Sequence, residues 1–203
     1  MLAVIATHNL KKGGEMLIIL SRRLPRIQFR TLQDYPSAPE PEESGATYAE
    51  NAVIKAESAY RATGELSIAD DAGLEVDALG GAPGLYSKRF AGLDVPFDQK
   101  MAIILEELSE VPAGQRSARF RCCVAVAHHK GTEVFEATCE GRIAREPSGG
   151  GGFGYDPIFF IPELGCTMAD LTAEQKHAVS HRGKVLAMVC DWLEAEFGPK
   201  DPI

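Results

Sequence analysis

Asp70 and Asp71 stand side by side at the end of a short apolar stretch, followed by Ala72 and Gly73. Two adjacent carboxylates repel each other unless a cation or a basic neighbour stabilises them. With Glu42 or Glu43 of the preceding acidic segment, and with Glu50, they supply the hard oxygen donors that suit Mg²⁺, leaving one carboxylate free to activate water. Successive strand residues point to opposite faces, so only one of the two aspartates is expected to enter a binding cleft. The plainer readings are a turn or cap pair for Asp70-Asp71 and a capping-box role for Glu50.

Three other segments carry chemistry-bearing side chains. Thr7-His8-Asn9-Leu10-Lys11-Lys12 lies between an apolar run and a helical stretch, where helix N-terminal amides and an ammonium can hold a phosphate. An ordinary helix start with Asn9 as its cap explains the same residues. No G-x-x-x-x-G-K-[ST] motif occurs. Gly149–Gly152 runs into Phe153-Gly154-Tyr155-Asp156, a compact backbone bearing rings and a carboxylate that a planar ligand can approach closely, or simply a turn with a core Phe. Lys176, His181, Arg182 and Lys184 fall within Gln175–Cys190, which has no Asp or Glu and so suits keto oxygens and phosphates, or else is a solvated helix start.

The elements that must position these groups read as an α/β pattern. Leu2–Ala6 is an all-apolar strand, followed by a helix through about Leu20 and a second strand over Ile27–Leu32. Pro36, Pro39 and Pro41 with Asp34, Glu40, Glu42 and Glu43 make an exposed acidic loop. Thr47 with Glu50 opens a helix repeating Tyr48, Ala52, Ala56 and Tyr60, and Gly64 stops it. Ser67–Asp70 and Leu74–Ala78 are expected as separate strand segments around a tight corner at residues 70–73, with a Gly/Pro loop at 80–84. A helix over Pro96–Leu108, strands over Phe120–His128 and Glu133–Arg145 joined at Lys130-Gly131, and a last helix from Ser180 complete the pattern. That last helix is expected to bury Val185, Met188, Val189, Trp192 and Leu193.

The 203 residues, 45% hydrophobic and 25% charged, describe one globular domain, 1–203, of two lobes around a shared sheet. A net charge of −8 argues against duplex nucleic acid or anionic membrane as partner. Five cysteines without C-x-x-C spacing read as reduced thiols of a cytoplasmic protein, not a zinc site, and no apolar run is long enough to span a bilayer. Beneath the net charge lies segregation. Residues 1–30 hold six basic groups against Glu15 alone, and residues 34–50 hold five acidic groups and no basic one. Such an arrangement suits a small polyanion held beside a carboxylate-bound cation.

In their order, the blocks Thr7-His8-Asn9 with Lys12, Thr47–Ala52 with Lys55-Ala56, Ala69–Gly84, Gly152–Phe159, and Lys176 with Ser180–Gly183 resemble the inosine triphosphate pyrophosphatase family, the XTP/dITP diphosphatases. The resemblance runs over about residues 3 to 190. It implies an α/β fold of two lobes around a long mixed sheet with flanking helices and a central substrate cleft, a homodimer, a Mg²⁺ requirement, and hydrolysis of dITP, ITP and XTP to the monophosphate and pyrophosphate. By the same resemblance Asp71 is the general base and a metal ligand, with Glu42 the second ligand. Thr7, His8, Asn9, Leu10, Lys11 and Lys12 would hold the triphosphate, with Ala72 beside it. Phe153, Gly154, Tyr155, Asp156, Lys176, His181 and Arg182 would line the base pocket, Phe153 stacking on the purine. Two positions depart from the family pattern: Ala72 stands where Ser is common, and His8 where Gly is frequent. A Maf-like pyrophosphatase for modified nucleotides and a nucleotide sensor without turnover are the competing expectations.

Overall fold

The computed structural model describes residues 1–198. Its strands are β1 (Leu2–Ile5), β2 (Gln28–Thr31), β3 (Leu66–Val76), β4 (Ser117–His128), β5 (Gly131–Ile143), β6 (Phe159–Ile161) and β7 (Cys166–Thr167). The helices are α1 (Leu10–Arg23), α2 (Tyr48–Thr63), α3 (Phe97–Glu107), α4 (Ala173–Val179) and α5 (His181–Phe197). One mixed sheet has the order β2-β1-β3-β4-β5-β6-β7. β1 pairs in parallel with β2 and β3, while β6 pairs antiparallel with β5 and β7. The parallel half needs crossovers, which α1 and α2 provide; β4 and β5 need only the two-residue link 129–130.

The chain divides into two compact units. Of the described residues, the first holds 1–71, 122–137 and 182–198; the second holds 72–121 and 138–181. In the first unit Ala3, Val4 and Ile5 of β1 are wholly buried, as expected of a strand covered on both faces. Asn9 caps α1, its side chain accepting the amides of Lys11 and Lys12 at 3.1 Å. Thr47 caps α2 by accepting the Glu50 amide, and Gly64 ends that helix at φ 72°, a conformation that costs glycine nothing. Glu50 reaches one residue beyond the capping box, to the amide of Ala46 at 2.6 Å.

Two sequence expectations are corrected here. Residues 70–73 form no corner: β3 runs unbroken for 11 residues, and Gly73 has no positive φ. The adjacent aspartates read as turn chemistry, but their carboxylates find cations on neighbouring helices, so the backbone stays extended. On α5 the buried stripe is Val185, Leu186, Val189, Cys190 and Leu193, whereas Met188 is 44% exposed. At 100° per residue Met188 falls off the edge of that stripe. Helix α4 is short and opens on a capping box of Thr172 with Gln175.

In the second unit the core gathers Leu74, Val76, Ile104, Leu108, Tyr155, Ile158 and Phe159. The wholly buried Arg116 donates to the carbonyls of Leu108, Ile143 and Ala144 at 2.6, 3.0 and 2.8 Å, closing the end of α3 and the end of β5. Arg119 bonds Asp77 and Glu140, and Arg121 bonds Glu75, a cross-strand ladder of opposite charges. Among the described residues no helix is long and apolar enough to cross a membrane, and all five cysteines are free thiols.

Gly141 of β5 illustrates how closely this core is packed. A Cβ there would lie 2.6 Å from the Phe159 ring and 2.6 Å from the Phe160 carbonyl oxygen. Gly141→Ala is expected to cost at least about 1–3 kcal/mol by overpacking. Urea unfolding checks this, and an unchanged midpoint would show that β6 can shift freely.

Candidate active site

The first unit builds a charged centre on β3. Asp70 is 1% exposed, and its Oδ2 accepts from Arg182 Nε at 3.1 Å and Nη2 at 2.8 Å, with the Lys12 ammonium 3.3 Å away. Arg182 donates its third branch to Glu15 at 2.8 Å. Burial alone would raise the Asp70 pKa, but Lys12, Arg182 and Lys55 outweigh it and hold the carboxyl well below the usual range. Burial lowers the Arg182 pKa, but Asp70 and Glu15 outweigh that, and the net shift is upward. Asp70 Oδ1 is buried with no hydrogen-bond partner among the described residues.

Asp71 faces the other way. Lys55 of α2 donates to its Oδ1 at 3.0 Å, and Asn51, one turn earlier on α2, donates to Oδ2 at 3.3 Å. Lys55 also bonds Glu43 at 3.0 Å, so one ammonium draws together a carboxylate of the acidic loop and one of β3. Burial lowers the Lys55 pKa, yet Asp71, Asp70 and Glu43 outweigh that, and the net shift is upward. Glu42 is exposed, and among the described residues no hydrogen bond or ion pair joins it to Asp71. Lys55 and Asn51 sit inside the quoted motif Thr47–Ala56, but nothing in local spacing shows that they reach Asp71; only the packing of α2 on β3 does.

A hard divalent cation fits this donor set. Asp71 and Glu43 converge on a cation already, the Lys55 ammonium, and Mg²⁺ characteristically takes one or two carboxylates and fills its remaining positions with water and substrate phosphates. The described residues contain no cluster of three His, Cys, Asp or Glu able to hold a metal on their own.

At the start of α1, Thr7 Oγ1 accepts the Asn9 amide at 3.2 Å, while His8, Leu10 and Lys11 are exposed. Asn9 therefore does act as a helix cap. Lys12, partly buried, is the lysine of this segment that the fold commits to a carboxylate. Ala72 is half-buried in β3.

The second unit organises the glycine-rich segment. Asp156, 3% exposed, accepts from the Phe153 amide at 2.8 Å and from the Lys176 ammonium at 2.8 Å. The ammonium also lies 4.5 Å from the centre of the Phe153 ring, a cation–π contact. Gly152 is required here: its φ is 67°, and a Cβ would stand 2.1 Å from Asp156 Oδ2. Gly154 also has a positive φ, 69°. Tyr155 is a core residue, 2% exposed, whose hydroxyl donates to the Ser87 carbonyl at 2.9 Å. His181, 5% exposed, stacks on Phe120. The sequence expectation thus separates: Phe153, Asp156 and Lys176 form one cluster, Tyr155 supports it from the core, and the Arg182 guanidinium is bound to Asp70 and Glu15.

The Ham1 family model matches residues 3–192. The chain belongs to the Ham1 family. A dITP/XTP pyrophosphatase of Geobacillus kaustophilus (strain HTA426) is 48% identical to this Ham1 chain over 97% of it and 96% of the relative. One of Escherichia coli O157:H7 is 46% identical over 94% and 96% of the two chains. Among solved structures, a HAM1 protein from Coxiella burnetii superposes with a TM-score of 0.86 at 38% identity, covering 96% of this chain and 99% of that one. The Staphylococcus aureus Ham1 protein gives 0.86 at 37%, covering 97% and 100%.

Removing the Asp70 charge should expose the cost of a buried guanidinium that has lost two of its three hydrogen bonds to carboxylates and keeps the one to Glu15. Asp70→Asn is expected to lose about 3 kcal/mol of stability or more at neutral pH. A carboxylate whose folded pKa is depressed stabilises the fold above its unfolded pKa and ceases to do so as pH falls through the folded value. The gap between wild type and Asp70→Asn in urea unfolding should therefore shrink once the pH drops below about 4. Equal midpoints at pH 7 would mean the ion pair stabilises nothing.

Proposed function

We propose that this Ham1 chain hydrolyses non-canonical purine nucleoside triphosphates, dITP, ITP and XTP, to the monophosphate and pyrophosphate. The observation that carries this reading is the converging Asp71–Lys55–Glu43 arrangement in a chain 48% identical to a dITP/XTP pyrophosphatase. Ham1 membership leaves nothing in favour of a Maf-like enzyme.

In this reading the first unit handles the triphosphate. Asp71 accepts the proton of the water that attacks the α-phosphorus, while Lys55 and Asn51 hold its carboxylate in one orientation. Asp71 and Glu43 would hold Mg²⁺, which when bound would neutralise charge on the phosphoryl oxygens. Glu42 is the ligand expected from the sequence; Glu43 is favoured here because it shares the Lys55 ammonium with Asp71. The α1 start, with Lys12 as its principal cation, binds the phosphates. Arg182 keeps Asp70 neutralised, so this second carboxylate does not repel them.

The second unit recognises the base. Phe153 offers a ring fixed by Lys176 and by its backbone N–H, which donates to the Asp156 carboxylate. Lys176 and His181 supply donors for the 6-keto oxygen, where adenine would present an amino group and leave those donors unsatisfied. Guanine shares the keto group, so its exclusion rests on the surroundings of the 2-amino group. We also propose a homodimer acting on the cytoplasmic nucleotide pool; sedimentation at micromolar concentration tests the dimer.

Pyrophosphate release with Mg²⁺ and each of dITP, XTP, dATP, dGTP and dTTP is the decisive measurement. Release from dITP and XTP with little from the others is expected. None from any, with nucleotide binding retained, would make the chain a sensor. Asp71→Asn should lower kcat by about a hundredfold or more while the fold is kept. Glu43→Gln should raise the Mg²⁺ concentration for half-maximal rate, and Glu42→Gln should leave it unchanged; the reverse pattern restores Glu42 as the ligand.

A further inference from the structure

We propose that Phe120 is a positioning residue that sets the plane of the His181 imidazole for purine recognition; this rests on the proposed role of His181 in the base pocket. Phe120 lies on β4, 7% exposed, and its ring stacks on His181 with centroids 4.7 Å apart and planes 21° from parallel. Behind it stands Phe159 of β6, wholly buried, 4.5 Å from Phe120 at 44°. Phe159 in turn occupies the space that Gly141 leaves by having no side chain, since a Cβ there would lie 2.6 Å from its ring. The three rings form a column that starts against the β5 backbone and ends on the imidazole.

The column matters because of where an imidazole carries its polar atoms. Both nitrogens lie in the ring plane, so an N–H donates only along directions within that plane. His181 is the first residue of α5, directly after Ser180, the residue that caps the end of α4. Backbone placement there fixes its Cα but leaves two side-chain torsions, and the second is broad for a histidine. A nearly parallel stack against a buried phenyl ring restricts that freedom to rotations that keep the two planes together. Phe120 never needs to touch a nucleotide to do this. Its contribution to recognition is the direction in which His181 donates, which decides whether a 6-keto oxygen is met.

Phe120→Leu keeps an apolar side chain in the core and removes the flat partner. Paired with His181→Gln in a double-mutant cycle, it tests the proposal through KM and kcat for dITP. With His181 present, Phe120→Leu should raise KM about fivefold and change kcat less than about twofold, as expected for losing an aromatic pair that acts on binding. In the His181→Gln background the same change should leave KM nearly unaltered, because there is no imidazole left to orient. An independent readout is the proton NMR of His181, assigned by its disappearance in His181→Gln. Loss of the Phe120 ring current should move its ring-proton resonances downfield. Equal KM increases in both backgrounds, or a loss confined to kcat in both, would make Phe120 a core residue only and overturn the inference while leaving the base-pocket reading intact. If His181→Gln by itself left KM and the preference for dITP over dGTP unaltered, the base-pocket role of His181 would fall, and the proposal with it.

Discussion

The forked bond of Arg182 onto the buried Asp70 carboxylate is the constraint on which the charged centre depends. A strand that places two aspartates in succession must send them to opposite faces, so the cation that hydrogen-bonds one, Lys55 on Asp71, reaches the other only through its field. The fold meets this with separate sets. Arg182 and Lys12 neutralise Asp70, and Lys55 with Asn51 holds Asp71. Without the first set, β3 would carry an uncompensated buried charge beside the carboxylate proposed to accept a proton. Attraction to Lys12, Arg182 and Lys55 exceeds the desolvation cost for Asp70, and its pKa falls accordingly.

The second unit solves a different problem, that of holding an aromatic ring on a segment rich in glycine. Such a segment loses much conformational entropy on folding. The Asp156 carboxylate offsets this by accepting both the Phe153 amide and the Lys176 ammonium, and the ammonium then lies against the ring itself. One carboxylate thereby fixes the turn and one cation fixes the ring. The positive φ of Gly152 and its contact with Asp156 make this geometry accessible to glycine alone.

The two departures from the family pattern touch different things. His8 is exposed at the head of α1, so its bulk disturbs no packing and adds an imidazole near the helix start. Ala72 lies half-buried immediately after Asp71 and brings no hydroxyl. Neither contributes to the ion pairs on β3, which are complete without them.

Local sequence by itself determined much of the frame: the buried β1, the Asn9 and Thr47 caps, the Gly64 stop, the hairpin and the glycine turn all follow from short-range rules about burial, hydrogen bonding and φ. It also determined which residue types were present for chemistry, and the order of their motifs pointed to the family. Tertiary structure alone decided which of them meet. Asp70-Asp71 reads locally as a corner and is in fact extended, because its cations come from α1, α2 and α5. Glu43, not its equally acidic neighbour Glu42, is drawn to Lys55, and the guanidinium of Arg182 is given to Asp70 and Glu15 rather than left for a base. Each of these outcomes depends on side chains separated by 12 to 167 positions in the chain, and no spacing rule within a strand or helix reaches that far.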